Sequence, residues 1–257
     1  MTQEKVVGQV TALWRFPVKS MRGEQLGHSP VALAGLPGDR ALALIDEETG
    51  EVVSAEKFRR YPGMFGFRAW FPAGAGGSAS DVMIELPDGR EIRADSTEVN
   101  DLVSERLGRA VRLAESRQTT SDGAQFHDAA PVSVLSNSTL KRLGELQPDS
   151  IFDARRFRMN LILDCPEPGF PENDWVGRTL RIGSDTRLFI TKPDARCVMT
   201  TMAQDELPED RGILTGLARH NRLKVGEKGT YPCAGVYARV VEPGEARLGD
   251  AVVLEAD

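Results

Sequence analysis

Apolar residues along this chain alternate with polar ones more often than they recur at helical spacing. Residues 8–16 carry Val10, Ala12 and Trp14 in a period-two pattern, which predicts a strand. It runs into Pro17-Val18-Lys19-Ser20, where the proline stops ladder pairing and presents a lysine and a serine. Segments 41–46 and 51–55 flank Glu47-Glu48-Thr49-Gly50, and segments 82–86 and 91–94 flank Pro87-Asp88-Gly89. Both patterns predict hairpins with glycine where the turn needs positive φ. Further strands are predicted over 65–71, 109–114, 132–135, 161–163 and 180–183. Segments 236–241 and 251–254, around Pro243-Gly244, predict a closing hairpin. Helical spacing is confined to three places. Over 96–108, Val99, Leu102, Val103 and Leu107 share a face, with Ser96 or Thr97 as cap and Gly108 as stop. Segments 136–144 and 210–220 are the other two. Many short strands and few helices predict a mainly β protein with some helix (α+β), built around a barrel. The polar, irregular stretch 115–125 marks the boundary between two domains, expected at 6–115 and 120–257.

Composition narrows the function. The 257 residues are 40% hydrophobic and 27% charged, enough for one large domain or two ordinary ones. Asp plus Glu number 38 against 32 Lys plus Arg, a net charge of −6 with no basic run, which argues against nucleic acid as a partner. Local arginines can still hold a small anion. Cys165, Cys197 and Cys233 are odd in number and far apart, against a disulfide framework or a paired-cysteine metal site. His28, His127 and His220 do not cluster in sequence. No stretch approaches the roughly 20 apolar residues of a membrane span, and the N-terminus lacks a signal-like apolar run. A cytoplasmic protein without a membrane partner is expected.

The candidate chemistry gathers at Thr191-Lys192-Pro193-Asp194-Ala195-Arg196-Cys197-Val198-Met199-Thr200-Thr201. Pro193 and Asp194 predict a loop before the cysteine, and Val198 with the two threonines predicts a strand after it. Taken alone, Cys197 reads either as a small buried hydrophobe or as a thiolate favoured by the adjacent Arg196. Arg40 beside Asp39 reads as a surface ion pair or an anion contact. Arg158 and Asn160, two apart on a presumed strand, point to one face, as paired donors or as a solvated stripe. Asp128 ahead of Pro131 reads as a turn former or a functional acid.

The order of these pieces is more specific than any one of them. Phe16-Pro17-Val18-Lys19-Ser20 comes first, then Gly35 to Arg40 in a Gly-x-x-x-Asp-Arg pattern. Phe157-Arg158-Met159-Asn160, Asn173-Asp174-Trp175, Arg196-Cys197-Val198-Met199-Thr200-Thr201 and Gly235-Val236-Tyr237-Ala238-Arg239-Val240 follow. This series resembles the MOSC-domain family, related to the C-terminal domain of molybdenum cofactor sulfurases, with a MOSC N-terminal β-barrel-like domain before it. It is most similar to the group containing the amidoxime-reducing components. The resemblance implies a MOSC-type β-barrel and a molybdenum cofactor (Mo-molybdopterin) whose metal is bound by Cys197. It assigns cofactor contacts to Lys19, Ser20, Arg40, Arg158, Asn160 and Arg196, and a catalytic role beside Cys197 to Asp128. It implies an oxidoreductase acting on small N-oxygenated substrates by oxygen-atom transfer. With no further cysteine cluster before Asp257, the electron donor is expected to be a separate protein of reductase, ferredoxin or cytochrome type. The same residues also serve a second reading, a cofactor or sulfur carrier without small-molecule turnover. A third is a barrel holding another phosphorylated cofactor, such as pyridoxal phosphate. Ala195, Ala129 and Ala130 stand where relatives often carry hydroxyl residues.

Overall fold

The computed structural model describes residues 4–73, 78–116, 126–127, 129–227 and 229–256. These form two compact units. One contains residues 4–14, 25–36, 129–227 and 229–256; the other contains 15–24, 37–73, 78–116 and 126–127. The units therefore interleave along the chain. The N-terminal strand, inside the segment expected for the first domain, is built mostly into the unit formed by the second half.

In the first unit seven strands close a barrel. Lys5–Arg15 pairs with Leu161–Asp164, which pairs with Val132–Ser136. Thr230–Glu242, Thr186–Ala195, Thr179–Ile182 and Ala251–Leu254 continue the circuit, and the last pairs back to Lys5–Arg15. Closure leaves those strands few open edges. Leu161–Asp164 runs parallel to Val132–Ser136, and the chain between them includes helix α2 (the second of three among the described residues), Asn137–Leu146. Parallel neighbours need such a crossover.

The expected closing hairpin does not form. Ala251–Leu254 pairs with Lys5–Arg15 and Thr179–Ile182, while Thr230–Glu242 pairs with Thr186–Ala195 and Val132–Ser136. Between them, Gly244–Arg247 pairs with His28–Val31. The N-terminal strand also departs from simple alternation. Register shifts at Val6/Gly8 and Val10/Ala12 turn Val7, Val10 and Leu13 into the barrel core. Ala12 and Trp14 pack on the outer side, against a second cluster that includes Leu143, Phe157, Met159, Ile213 and Leu217. That outer cluster is the apolar face of α2 and of helix α3, Gly212–His220.

In the second unit Leu42–Asp46 pairs with Val111–Glu115, and Arg68–Trp70, Met83–Glu85 and Glu91–Arg93 form a meander. Helix α1 spans Val99–Leu107 and stops at left-handed Gly108, as its sequence predicts. Its cap differs: Glu98 occupies that place, and Ser96 Oγ accepts from the Glu98 N–H at 3.3 Å. No helix among the described residues is long and apolar enough to cross a membrane.

Candidate functional site

In the barrel unit the site is built on the end of one strand. Pro193 and Asp194 lie within strand Thr186–Ala195, and Val198–Thr201 forms a 3-10 turn, the reverse of the loop-then-strand order expected. Two local features explain this. The pairing register shifts at Pro193/Ala195, so the strand tolerates proline at an irregular point. The threonines bond backward: Thr200 Oγ1 donates to the Cys197 carbonyl at 3.0 Å, and Thr201 Oγ1 to the Val198 carbonyl at 2.8 Å. Such bonds favour a turn over a ladder.

Cys197 occupies the N-cap position of that turn, in extended backbone. Its flanks are pinned. The Arg196 N–H donates to the Pro232 carbonyl at 2.8 Å, and the Thr200 N–H to the Cys197 carbonyl at 3.2 Å. None of the three cysteines is in a disulfide; Cys165 and Cys233 are buried and Cys197 is half-buried. Burial pushes the Cys165 thiol up to about 12 and the Cys233 thiol up to about 11, so both stay protonated and inert at neutral pH.

Arg158 ends the 3-10 turn Ala154–Phe157 and is itself left-handed, at φ 55°. The presumed strand geometry for Arg158 and Asn160 therefore does not hold. Arg158 is more than nine-tenths buried, and Asn160 is buried at 1% exposure. The Asn160 amide joins two strands, Val132–Ser136 and Lys5–Arg15, from the position just before Leu161–Asp164. Its Oδ1 accepts from the Ser133 N–H and hydroxyl, both at 3.1 Å, and its Nδ2 donates to the Trp14 carbonyl at 3.2 Å. Arg196 is likewise engaged with protein. It pairs with the buried carboxylate of Asp194, donates to the Phe157 carbonyl and approaches Met159 Sδ at 3.5 Å.

The second unit carries Lys19, Ser20 and Arg40. Ser20 is left-handed at φ 67° and buried; its Oγ accepts from the Ala55 N–H at 3.1 Å. Arg40 is left-handed at φ 51°, with its N–H on the Phe16 carbonyl at 2.7 Å and its guanidinium 4.9 Å from the Phe16 ring. Its partner Asp39 is fully buried and also accepts from the Phe16 N–H at 2.7 Å, so this is no surface ion pair. His127 Nδ1 lies 3.8 Å from Asp39. Lys19 Nζ donates to the Phe126 carbonyl at 3.2 Å. Asp128 lies outside the described residues.

Four supporting residues escape a reading of candidate donors. Asp39 and Asp194 had a signal, since each sits one or two positions before an arginine of the set. Ser133 and Arg156 had none, because their partners are an amide and main-chain carbonyls distant in sequence.

These features define a β-barrel protein whose barrel unit presents a single half-buried thiol at a strand end, with buried arginine nearby in the same unit. Comparison with known proteins identifies the class further. The MOSC domain matches residues 122–253, and the MOSC N-terminal beta barrel domain matches residues 7–129. The chain belongs to the MOSC family, a molybdenum-cofactor-related class of proteins. Over 286 aligned residues it is 25% identical to mitochondrial amidoxime-reducing component 1 of Mus musculus, covering 96% of this chain and 82% of that protein. The YUAD protein from Bacillus subtilis shares the fold over 100% of both chains, with a TM-score of 0.51 at 14% identity.

Proposed function

We propose that this chain is an oxidoreductase that binds a molybdenum cofactor through Cys197 and reduces small N-oxygenated compounds with electrons from a separate protein. One observation carries the reading. Among the described residues, four other than glycine have left-handed backbone: Ser20, Arg40, Arg158 and Asp205. Three of these belong to the set that the resemblance assigns to the cofactor. Left-handed backbone costs a side-chain-bearing residue about 1–2 kcal/mol, and such strain clusters at ligand clamps.

The donor set fits the group. A thiolate is a soft ligand suited to a sulfur-ligated metal. In this reading the protein supplies the metal with one sulfur, that of Cys197. The resemblance assigns contacts to the anionic cofactor to Lys19, Arg40 and Arg158, residue types that offer charge, and to Ser20, which offers a hydroxyl. Asn160 and Arg196 are given positioning work: the first fixes the strand ends, the second holds the backbone before Cys197. Asp128 is assigned the proton. When bound, the cofactor supplies the two-electron chemistry that removes oxygen from nitrogen. The substrate class rests on the likeness to a protein named for amidoxime reduction.

The test begins with molybdenum content after expression in a cofactor-competent host. Near-stoichiometric metal is expected in the wild type, and loss of most of it in Cys197→Ser with unchanged folding. Full metal content in that variant overturns the assignment. Reduced, metal-loaded protein is then mixed with an N-hydroxylated amidine in a stopped-flow instrument. Reoxidation is expected; silence with cofactor bound assigns the chain a carrier role instead.

A further inference from the structure

Arg156 is one of the largest fully buried side chains in the protein, at 1% exposure. Burying a guanidinium is costly unless its donors are met, and burial here lowers its pKa from the ordinary value. Among the described residues no carboxylate meets them at hydrogen-bond distance; main-chain carbonyls do. Nε donates to the Ile151 carbonyl at 3.1 Å, Nη1 to the Thr200 and Met202 carbonyls at 3.4 and 3.1 Å, and Nη2 to the Pro208 carbonyl at 2.8 Å. Thr200 lies in the 3-10 turn Val198–Thr201 that starts beside Cys197, and Met202 is the C-terminal cap of that turn. Arg156 itself lies in the turn that ends at Arg158. The one side chain thus spans the arginine turn and the cysteine turn, and continues to Pro208. Carbonyls at the end of a helical turn carry partial negative charge and lack intrahelical donors, so a cation suits them.

We infer that Arg156 is a positioning residue for Cys197: its planar fork fixes the turn Val198–Thr201, and with it the thiol, relative to Arg158. A lysine cannot replace it, because a single ammonium cannot reach four carbonyls in a fixed plane. A buried cation of this kind contributes less to stability than a well-packed apolar side chain often would, and what it adds is geometry. The inference deepens the proposed function and rests on Cys197 serving the cofactor. Its main readouts are made on the cofactor-free protein, so the two ideas fail separately.

The experiment compares Arg156→Lys with Ile182→Ala, a truncation in the barrel core whose packed cluster includes no residue of either turn. The alkylation rate of Cys197 by iodoacetamide is followed against pH by peptide mass spectrometry. Molybdenum retention is measured on protein from the cofactor-competent host. Arg156→Lys is expected to change the alkylation rate at least fivefold, to move its pH midpoint and to lower metal retention several-fold. Ile182→Ala should leave the rate and the metal retention within twofold and the midpoint unmoved. A folded Arg156→Lys protein with an unchanged alkylation profile overturns the inference. Hydrogen exchange of the wild type decides the matter if that variant does not fold. Peptides covering 198–204 and 152–158 should open together, and opening of the first while the second stays protected overturns it equally. Altered alkylation in a protein that never holds molybdenum would uphold the positioning role and sink the cofactor reading.

Discussion

The guanidinium of Arg196 donates to the main-chain carbonyl of Phe157, tying the residue before Cys197 to the residue before Arg158. The same guanidinium pairs with Asp194, whose side chain is almost wholly buried. Removing one partner of a buried pair leaves the other charge without its counterion, at a cost of about 3–5 kcal/mol. Arg196→Met should therefore lose stability in that range, measured by urea unfolding. Asp194→Asn should lose less, because it removes the charge and keeps the shape. The double variant should recover part of the loss, and strictly additive single effects would show that the pair is not coupled.

Gly235 opens the motif that closes the family series, and the structure gives a packing reason for it. Its φ is 80°, and a Cβ there would lie 2.3 Å from Met159 Cε and 2.6 Å from the Val134 carbonyl oxygen. Met159 could move, but the carbonyl is in a barrel strand and cannot. Gly235→Ala should cost about 2–4 kcal/mol from overpacking and left-handed strain combined. A thermal shift of less than a degree would show that the strand yields there.

Short alternating segments made the barrel strands readable, because a half-buried strand writes its period into local sequence. Their partners were not readable. Ala251–Leu254 pairs with Lys5–Arg15 across nearly the whole chain, and no local signal distinguishes that from a hairpin with Thr230–Glu242. The bulges in Lys5–Arg15 were equally hidden, and they decide that Leu13 faces the barrel core while Trp14 packs outside it. Motif order singled out Lys19, Ser20 and Arg40 in one unit and Arg158, Asn160, Arg196 and Cys197 in the other. The internal engagement of Asn160 and Arg196 was beyond reach, since the carbonyls of Trp14 and Phe157 have no side-chain signature.

The backbone at Arg158 offers a direct measure of stored strain. Arg158→Ala removes the side chain and keeps the left-handed penalty, whereas Arg158→Gly removes both. The glycine variant should be more stable than the alanine variant by about 1 kcal/mol. Both should lose cofactor affinity if the arginine holds the anion. Equal stability of the two would mean that the turn relaxes to negative φ once the side chain is gone.

Glu172 gives the clearest prediction for pH. It is completely buried, with Oε2 accepting from Ser136 Oγ at 2.6 Å while Oε1 has no hydrogen-bond partner among the described residues. Burial raises its pKa above the ordinary carboxyl value, with the Ser136 bond opposing. Below the unfolded value of about 4.3, both states hold the proton and the group does not affect stability. Above it, the unfolded chain releases the proton while the native state keeps it. Stability then falls with rising pH until the native value is passed, and the loss is complete beyond that point. Glu172→Gln keeps an acceptor for Ser136 and has no proton to lose. It should match the wild type near pH 4 and exceed it at pH 7, with the gap opening across that window. Urea midpoints of both proteins at half-unit steps from pH 4 to 8 measure the gap, and parallel curves would mean that Glu172 ionises in the folded protein as freely as in the unfolded chain.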